Sequence, residues 1–456
     1  MFGWRGQLLR VNLTSGAIKK EPLEESAVQT YLGGRGLGAY LHTQEVPAST
    51  EPLSAANHLI FITGPLTGTL APNGGRYTVV AKALPDGAIT AASIGGNWGP
   101  ELKYAGFDAI IFEGQASEPG YLWITDGASD LRSAAHLRGK TVAETTDLLR
   151  RETDDKAKVS CIGPAGENGV SFSVVVSDYF SAAGGTGLGA VMAAKNLKGV
   201  AVRGTQGFRV ADSGRFLRAA MELRASMAAK PVAGKGTRLY DFILVADRVE
   251  RDSSPPEGGM ARPHGCFGCA TGFSSFLVDG EEKEALCLTE DAPAGLMDAR
   301  LQQYGLFTDL GLEFVAMKAM LATLSQGDEG DEAKLARKTA YGNGSRHCFA
   351  RHLNASPAKT NGGDYPPTDR SGCIAGGYMV IPQIMGVTGS EGDASARRLR
   401  LLAAVADSAG LCPFVLGSIE AEAVAELLSA ATGINYSPGE IMRAGARITE
   451  PSRRAG

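Results

Sequence analysis

The sequence is short of cysteine, of long apolar runs and of any excess of one charge, and each shortage removes a class of protein. Seven cysteines in 456 residues are too few, and odd in number, for a disulfide framework. Reduced thiols in a cytoplasmic protein are therefore expected, with metal binding as the open use for them. No stretch approaches the roughly 18 consecutive apolar residues that span a bilayer. The start, MFGWRGQLLRVNLTSG, lacks the basic-then-apolar order of a secretory signal. Lys and Arg number 45 against 49 Asp and Glu, with no basic run, so neither nucleic acid nor membrane is expected as a partner.

What the chain has in excess is glycine. Its 60 glycines are about twice the usual ~7%. Most lie in the first half, often in pairs, where they mark tight turns or backbone that closely approaches a ligand. Between them run short stretches of β-branched and aromatic residues bounded by Gly, Asp or Pro: HLIFITG, RYTVVAKA, DAIIFEG, GYLWITDG, FSVVVSD and GVAVRG. These predict packed sheets over residues 1–208 rather than a regular βαβ alternation. One helix is expected there, at 140–153, and no internal repeat is evident.

After residue 208 the spacing becomes helical, at 211–229, 292–304, 310–325, 394–409 and 419–432. SPGEIMRAG adds a start signal: Ser437 as N-cap, Pro438 at the first helical position and Glu440 completing a capping box. The expected architecture is α+β. A β-rich domain at 1–208 is followed by a helical domain at 209–330 and a shorter helical domain at 331–456.

Three groups of residues can carry chemistry. The first is HGCFGCATGF at 264–273. Cys266 and Cys269 have the spacing with which one loop wraps an iron–sulfur cluster. A tetrahedral zinc site is the other reading, with His264, both thiols and a distant cysteine as the four ligands. The second is DSAGLCPF, where Gly410 terminates a helix and Cys412 lies just beyond it. The third is a series of Gly-rich loops beside Arg and Lys, which suit a phosphorylated ligand because exposed backbone N–H groups form anion nests. In GGTGLG the glycines alternate, at 185, 187 and 189, and no acid follows at the spacing a dinucleotide fold requires. Nicotinamide binding is not expected.

Taken in order, GGRGLG, GGRYTVVAK, GGNWGPELKYAGFDAIIFEG, IGPAGEN, GLGAVMAAKNLK, CFGC and DSAGLC give the chain a resemblance to the aldehyde ferredoxin oxidoreductases. It is dense over residues 1–205 and patchy beyond. The resemblance implies a β-rich base beneath a tungsten or molybdenum bis-pterin, helical domains covering it, and a [4Fe–4S] cluster that passes electrons to ferredoxin. It makes Cys266, Cys269 and Cys412 cluster ligands and sets Asp407 and Leu411 against one pterin. Arg76 and the loop Gly95, Gly96, Asn97 fall at the pterin base.

Departures from the family pattern gather at the cofactor. Phe273 stands where a third loop cysteine belongs, and QQYGLF, with Gln302 and Phe307, where a D-x-x-G-L-D motif belongs. Ser181 and Gly185 replace two arginines of a phosphate loop, and the chain is shorter than the family before DSAGLC and after IMRAGARI. Cluster ligation is thus incomplete unless Cys287 or a carboxylate substitutes. His347 and His352 are the nearest candidates for a catalytic histidine. Two functions follow. One is a divergent oxidoreductase of a small organic substrate at the aldehyde/carboxylate level, with a ferredoxin-like acceptor and a homodimeric habit. The other is a member without metallocofactor, running redox-neutral chemistry in the same cavity or serving as a partner subunit.

Overall fold

The computed structural model describes residues 1–84, 87–179, 181–183, 187–229, 260–264, 266–269, 274–279, 282–287, 308–312, 332–341, 394–412 and 420–449. The helices expected at 292–304 and over most of 310–325 fall outside these residues.

Residues 7–203 build two six-stranded sheets. The first contains β1 (Gln7–Asn12), β2 (Ala17–Pro22), β3 (Leu59–Thr63), β4 (Tyr77–Lys82), β5 (Ile89–Ile94) and β6 (Ala109–Glu113) in the order β2-β1-β6-β3-β4-β5. The second contains β7 (Gly120–Thr125), β8 (Ala128–Ser133), β9 (Lys158–Ile162), β10 (Val175–Ser177), β11 (Ser181–Ala183) and β12 (Leu197–Arg203), in the order β8-β7-β12-β9-β10-β11. Adding six to each strand number of the first order gives the second. Pair directions also agree: β1–β6 and β7–β12 are the parallel pairs, and every other neighbour pair in both sheets is antiparallel. The half is therefore a structural repeat, which corrects the expectation of none. The sequence conceals it because IFITGP at 60–65 and VSCIGP at 159–164 hold the same turn with only Gly–Pro in common at their ends. Because β9 and β12 are antiparallel, the helix Leu188–Ala194 that leads into β12 does not join them into the parallel βαβ unit that a dinucleotide fold needs.

The two sheets share one core. Phe61 and Tyr77 from the first, with Trp98 from the helix Trp98–Tyr104, pack with Leu122, Val175 and Val200 from the second, all fully or almost fully buried. Their polar tips are satisfied across the interface, as buried Tyr and Trp require. The Tyr77 hydroxyl bonds the hydroxyls of Ser160 at 2.8 Å and Ser177 at 2.5 Å, and the Trp98 indole donates to the Val200 carbonyl at 3.0 Å. The helix expected at 140–153 is Val142–Glu152, started by a Thr141–Glu144 capping box.

Helices Ser213–Ala229, Ala394–Ala409, Ala421–Thr432 and Pro438–Thr449 make a second core. Ser437 and Glu440 cap the last of them reciprocally, at 2.7 and 3.3 Å. A small sheet of β13 (Met260–His264), β14 (Ser274–Asp279) and β15 (Glu282–Cys287) flanks the Cys266–Cys269 turn. Among the described residues no helix is long and apolar enough to cross a membrane.

Candidate functional site

Each half of the repeat ends a central strand in Gly–Pro, and each glycine receives a G-L turn from the helical part. Leu66 N donates to Ala409 O at 2.9 Å, and Ala165 N to Leu310 O at 3.0 Å. Arg76 N donates to Gly410 O at 3.2 Å, and Val174 N to Gly311 O at 2.9 Å. Gly410 and Gly311 are both left-handed, at φ +87° and +76°, a conformation that costs glycine little. Gly410 N closes its turn on Asp407 O, and Gly311 N closes its turn on Thr308 O. The counterpart of Asp407–Leu411 is therefore Thr308–Leu312. This corrects the placement of the first motif at QQYGLF: the true stretch, TDLGLE, begins six residues later. Both stretches contain Gly-Leu after a polar run, so only the pairing with Gly163 and Val174 separates them. Residues 302–307 lie outside the described set.

This register shows an asymmetry. On the first half, the Arg35 guanidinium donates to Asp407 Oδ2 at 2.9 Å, with the carboxylate fully buried. The other oxygen, Asp407 Oδ1, has no hydrogen-bond partner among the described residues. Gly36 N donates to Ser408 Oγ, and on the second half Ala143 N donates to Asp309 Oδ1. The residue before each donor pairs Arg35 with Val142. Arg35, Arg76 and Asp407 thus have Val142, Val174 and Thr308 as counterparts. At the fourth pair, Ser408 with Asp309, the carboxyl is on the second half.

Arg76 is 8% exposed and joins three segments. One terminal nitrogen donates to the Ser93 carbonyl and hydroxyl, both at 3.2 Å, and the other to Cys412 Sγ at 3.4 Å. The Cys266–Cys269 turn reaches the same place by backbone bonds. Phe267 N donates to Gly96 O at 3.1 Å, Asn73 N to Gly268 O at 2.8 Å, and Cys412 N to Asn73 O at 3.0 Å. A Cβ added to Gly95 would lie 2.7 Å from Cys266 Sγ, so this thiol rests directly on the glycine loop. Cys266, Cys269 and Cys412 are half-buried thiols outside any disulfide. Among the described residues no group of three or more His, Cys, Asp or Glu side chains is placed to hold a metal ion. Cys161 is a core thiol, pushed up to about 11 by burial, and is chemically quiet. The Leu411 side chain packs in the helical core.

The Gly95–Asn97 loop has the composition of an anion nest, and the chain itself supplies an anion. Asn97 N donates to Asp178 Oδ2 at 2.5 Å. Asp178 and Tyr179 reach this position in the left-handed region, at φ +49° and +71°, a strain of about 1–3 kcal/mol per residue. Burial raises the Asp178 carboxyl above its ordinary range, against smaller opposing effects of the Asn97 N–H and Lys158. A group raised in the fold contributes stability that is complete below its unfolded value and lost as pH rises through the folded one. Asp178→Asn cannot ionise and keeps an acceptor for Asn97. Its stability relative to the parent should therefore grow from about pH 4 upward. Urea midpoints at several pH values test this, and a gap that is flat or shrinks would refute it.

Against the cofactors implied by the resemblance, the halves differ. The first offers a buried guanidinium, an unsatisfied carboxylate oxygen and nearby thiols, which suit an anionic heterocycle and a soft metal centre. The second has Val142 and Val174, both buried in a hydrophobic core, with Thr308 at the place of Asp407 and its carboxyl one residue on, at Asp309. Ser181 Oγ lies near Gly96 and carries no charge toward a phosphate. His347, His352, Phe273 and Gly185 fall outside the described residues. Sequence reasoning missed Arg35, which stands inside a glycine motif, and Asp178, for which no local pattern exists.

The chain matches the aldehyde ferredoxin oxidoreductase N-terminal domain over residues 8–204, and domains 2 and 3 of the same family over 350–455. The tungsten-containing aldehyde ferredoxin oxidoreductase of Pyrococcus abyssi is 33% identical over 538 aligned positions, covering 99% of this chain and 88% of that one. That alignment is longer than the chain's 456 residues, so many internal positions of the relative have no counterpart here. The WOR-like subunit of the aliphatic sulfonate oxidoreductase of Pyrococcus furiosus is 34% identical over 221 residues, which is 45% of this chain and 35% of that one. Among solved structures, the active-site complex BamBC of benzoyl coenzyme A reductase, bound to 1,5-dienoyl-CoA, shares the fold. Its TM-score is 0.75 at 21% identity, over 98% of this chain and 88% of that one.

Proposed function

The chain belongs to the aldehyde ferredoxin oxidoreductase family, and from that membership we propose that it oxidises or reduces a small organic substrate at the aldehyde/carboxylate level. In the oxidising direction an aldehyde and water become a carboxylate and protons, and the electron pair leaves to a ferredoxin-like carrier. A tungsten- or molybdenum-pterin, when bound, supplies the oxo transfer and the two-electron chemistry. The chain's own residues hold and orient. The single observation behind this reading is the Arg76 bridge, which ties the glycine floor at Ser93 to the Cys412 thiol at 3.4 Å. It also places positive charge where floor, thiol turn and helical part meet. Asp407 Oδ1, without a partner among the described residues, is an acceptor for a heterocycle N–H, and Cys266, Cys269 and Cys412 would have to draw closer together to serve as thiolate donors to an iron–sulfur cluster.

A second reading, a member that works without metallocofactor, is favoured by the Asp178 carboxyl seated in the Gly95–Asn97 loop. Anaerobic purification separates the two. The redox reading expects a brown protein holding iron and either tungsten or molybdenum, and bleaching in Cys412→Ser. A colourless, metal-free protein would leave the second reading standing, and colour unchanged in Cys412→Ser would remove Cys412 from the ligands.

A further inference from the structure

The Gly95–Asn97 loop is gripped from two sides. On one side lies the thiol turn. Cys266 Sγ stands 2.7 Å from where a Gly95 Cβ would be, and Phe267 N donates to Gly96 O at 3.1 Å. On the other side lies Asp178, just past the end of β10. Asn97 N donates to Asp178 Oδ2 at 2.5 Å, and the same oxygen stands 2.7 Å from where a Gly96 Cβ would be. Gly96 therefore has its α-carbon against the carboxyl and its carbonyl on the thiol turn. Its φ of +92° and the absence of a Cβ are what let both contacts form. A displacement of the carboxyl is passed through this one residue to the turn that carries Cys266.

The carboxyl is itself built into place. Asp178 and Tyr179 are consecutive non-glycine residues in the left-handed region, at φ +49° and +71°. Such backbone persists only where its surroundings over-determine it, and it gathers at functional sites. Asp178 N donates to Val159 O at 3.1 Å, which extends the β9–β10 pairing by one residue. The Tyr179 hydroxyl donates to Asp147 Oδ1 at 2.5 Å and accepts from the Arg150 guanidinium at 3.2 Å, both on the helix Val142–Glu152. A strand and a helix of the second half thus hold one carboxyl against a loop of the first. From this chain of contacts we infer that Asp178 is a positioning residue for the Cys266 thiol, acting through Gly96 and anchored by Tyr179. The proposal takes from the redox reading only what the thiol binds. Its readout is the thiol itself, so either can fail without the other.

The test is thiol reactivity. The full chain is purified with a chelator and a reductant, then alkylated with iodoacetamide while peptide mass spectrometry follows each cysteine. Cys412 is the reference, because Arg76 and Asn73 hold it. Thiol reactivity follows exposure, so freeing the turn in Asp178→Ala should raise the Cys266 rate about tenfold and leave Cys412 within about twofold. Asp178→Asn keeps an acceptor for Asn97 and should return Cys266 to within about threefold of the parent. Tyr179→Phe removes only the anchoring hydroxyl, should raise the Cys266 rate about threefold, and decides the matter if Asp178→Ala does not fold. An unchanged Cys266 rate in the folded variants would overturn the proposal. So would an equal rise at Cys412, the mark of general loosening, or Asp178→Asn as reactive as Asp178→Ala.

Discussion

Gly64→Ala is expected to cost about 3 kcal/mol or more. The added Cβ would lie 2.2 Å from the Ala409 carbonyl carbon and 2.4 Å from both Ala409 O and Gly410 N. All three are backbone atoms, so no side chain can rotate away. The two segments cannot separate cheaply either. Leu66 N holds Ala409 O at 2.9 Å, and the buried Lys103 ammonium donates to Gly64 O at 3.0 Å. Gly163→Ala meets Leu310 C at 2.6 Å and should cost less. At Gly207 an added Cβ would meet nothing within 4 Å, so Ala should be tolerated there to within about 0.5 kcal/mol. Denaturant midpoints should fall in the order Gly207→Ala, Gly163→Ala, Gly64→Ala. A Gly64 variant as stable as the Gly207 variant would mean that the sheet half and the helical part do not meet at the Gly64–Ala409 contact.

How far the sequence discloses this arrangement depends on the range of each signal. β3, β4, β6 and β7 announce themselves because buried strands of Ile, Val, Phe and Tyr leave unbroken apolar runs. β2 and β8 are half-exposed edge strands, AIKKEP and ASDLRS, whose polar composition reads as loop. β5, ITAASI, is buried through small residues that carry little strand preference. The capping signals at Ser437 and Gly410 are legible because they are local. The repeat is not, since its two copies conserve hydrogen bonds and not side chains. Nor is the first G-L motif, where a six-residue offset can be resolved only by what its carbonyls receive. Of the site, Arg76, Cys266, Cys269 and Cys412 stand in short recognisable strings. Arg35 meets Asp407 across 372 residues, and no periodicity encodes that.

The Arg35–Asp407 pair is where fold and ligand requirements can be separated. Arg35→Ala should destabilise by about 3–5 kcal/mol, because it strands a fully buried carboxylate whose other oxygen has no partner among the described residues. The cost is that of an uncompensated charge, so it should shrink when Asp407→Asn is added to Arg35→Ala. The second half shows a further route: the same junction is built there from Val142 and Thr308. Arg35→Val combined with Asp407→Thr copies that solution, and replacing a buried ion pair by residues that pack well is often neutral or stabilising. The double variant should therefore fold at least as well as the parent while losing its affinity for pterin. Stability and bound pterin, measured on the same three proteins, decide the matter. If the graft is as unstable as Arg35→Ala alone, the ion pair serves the fold. If the graft is stable and empty, nothing in the packing requires an ion pair there, and its retention is explained by what it holds.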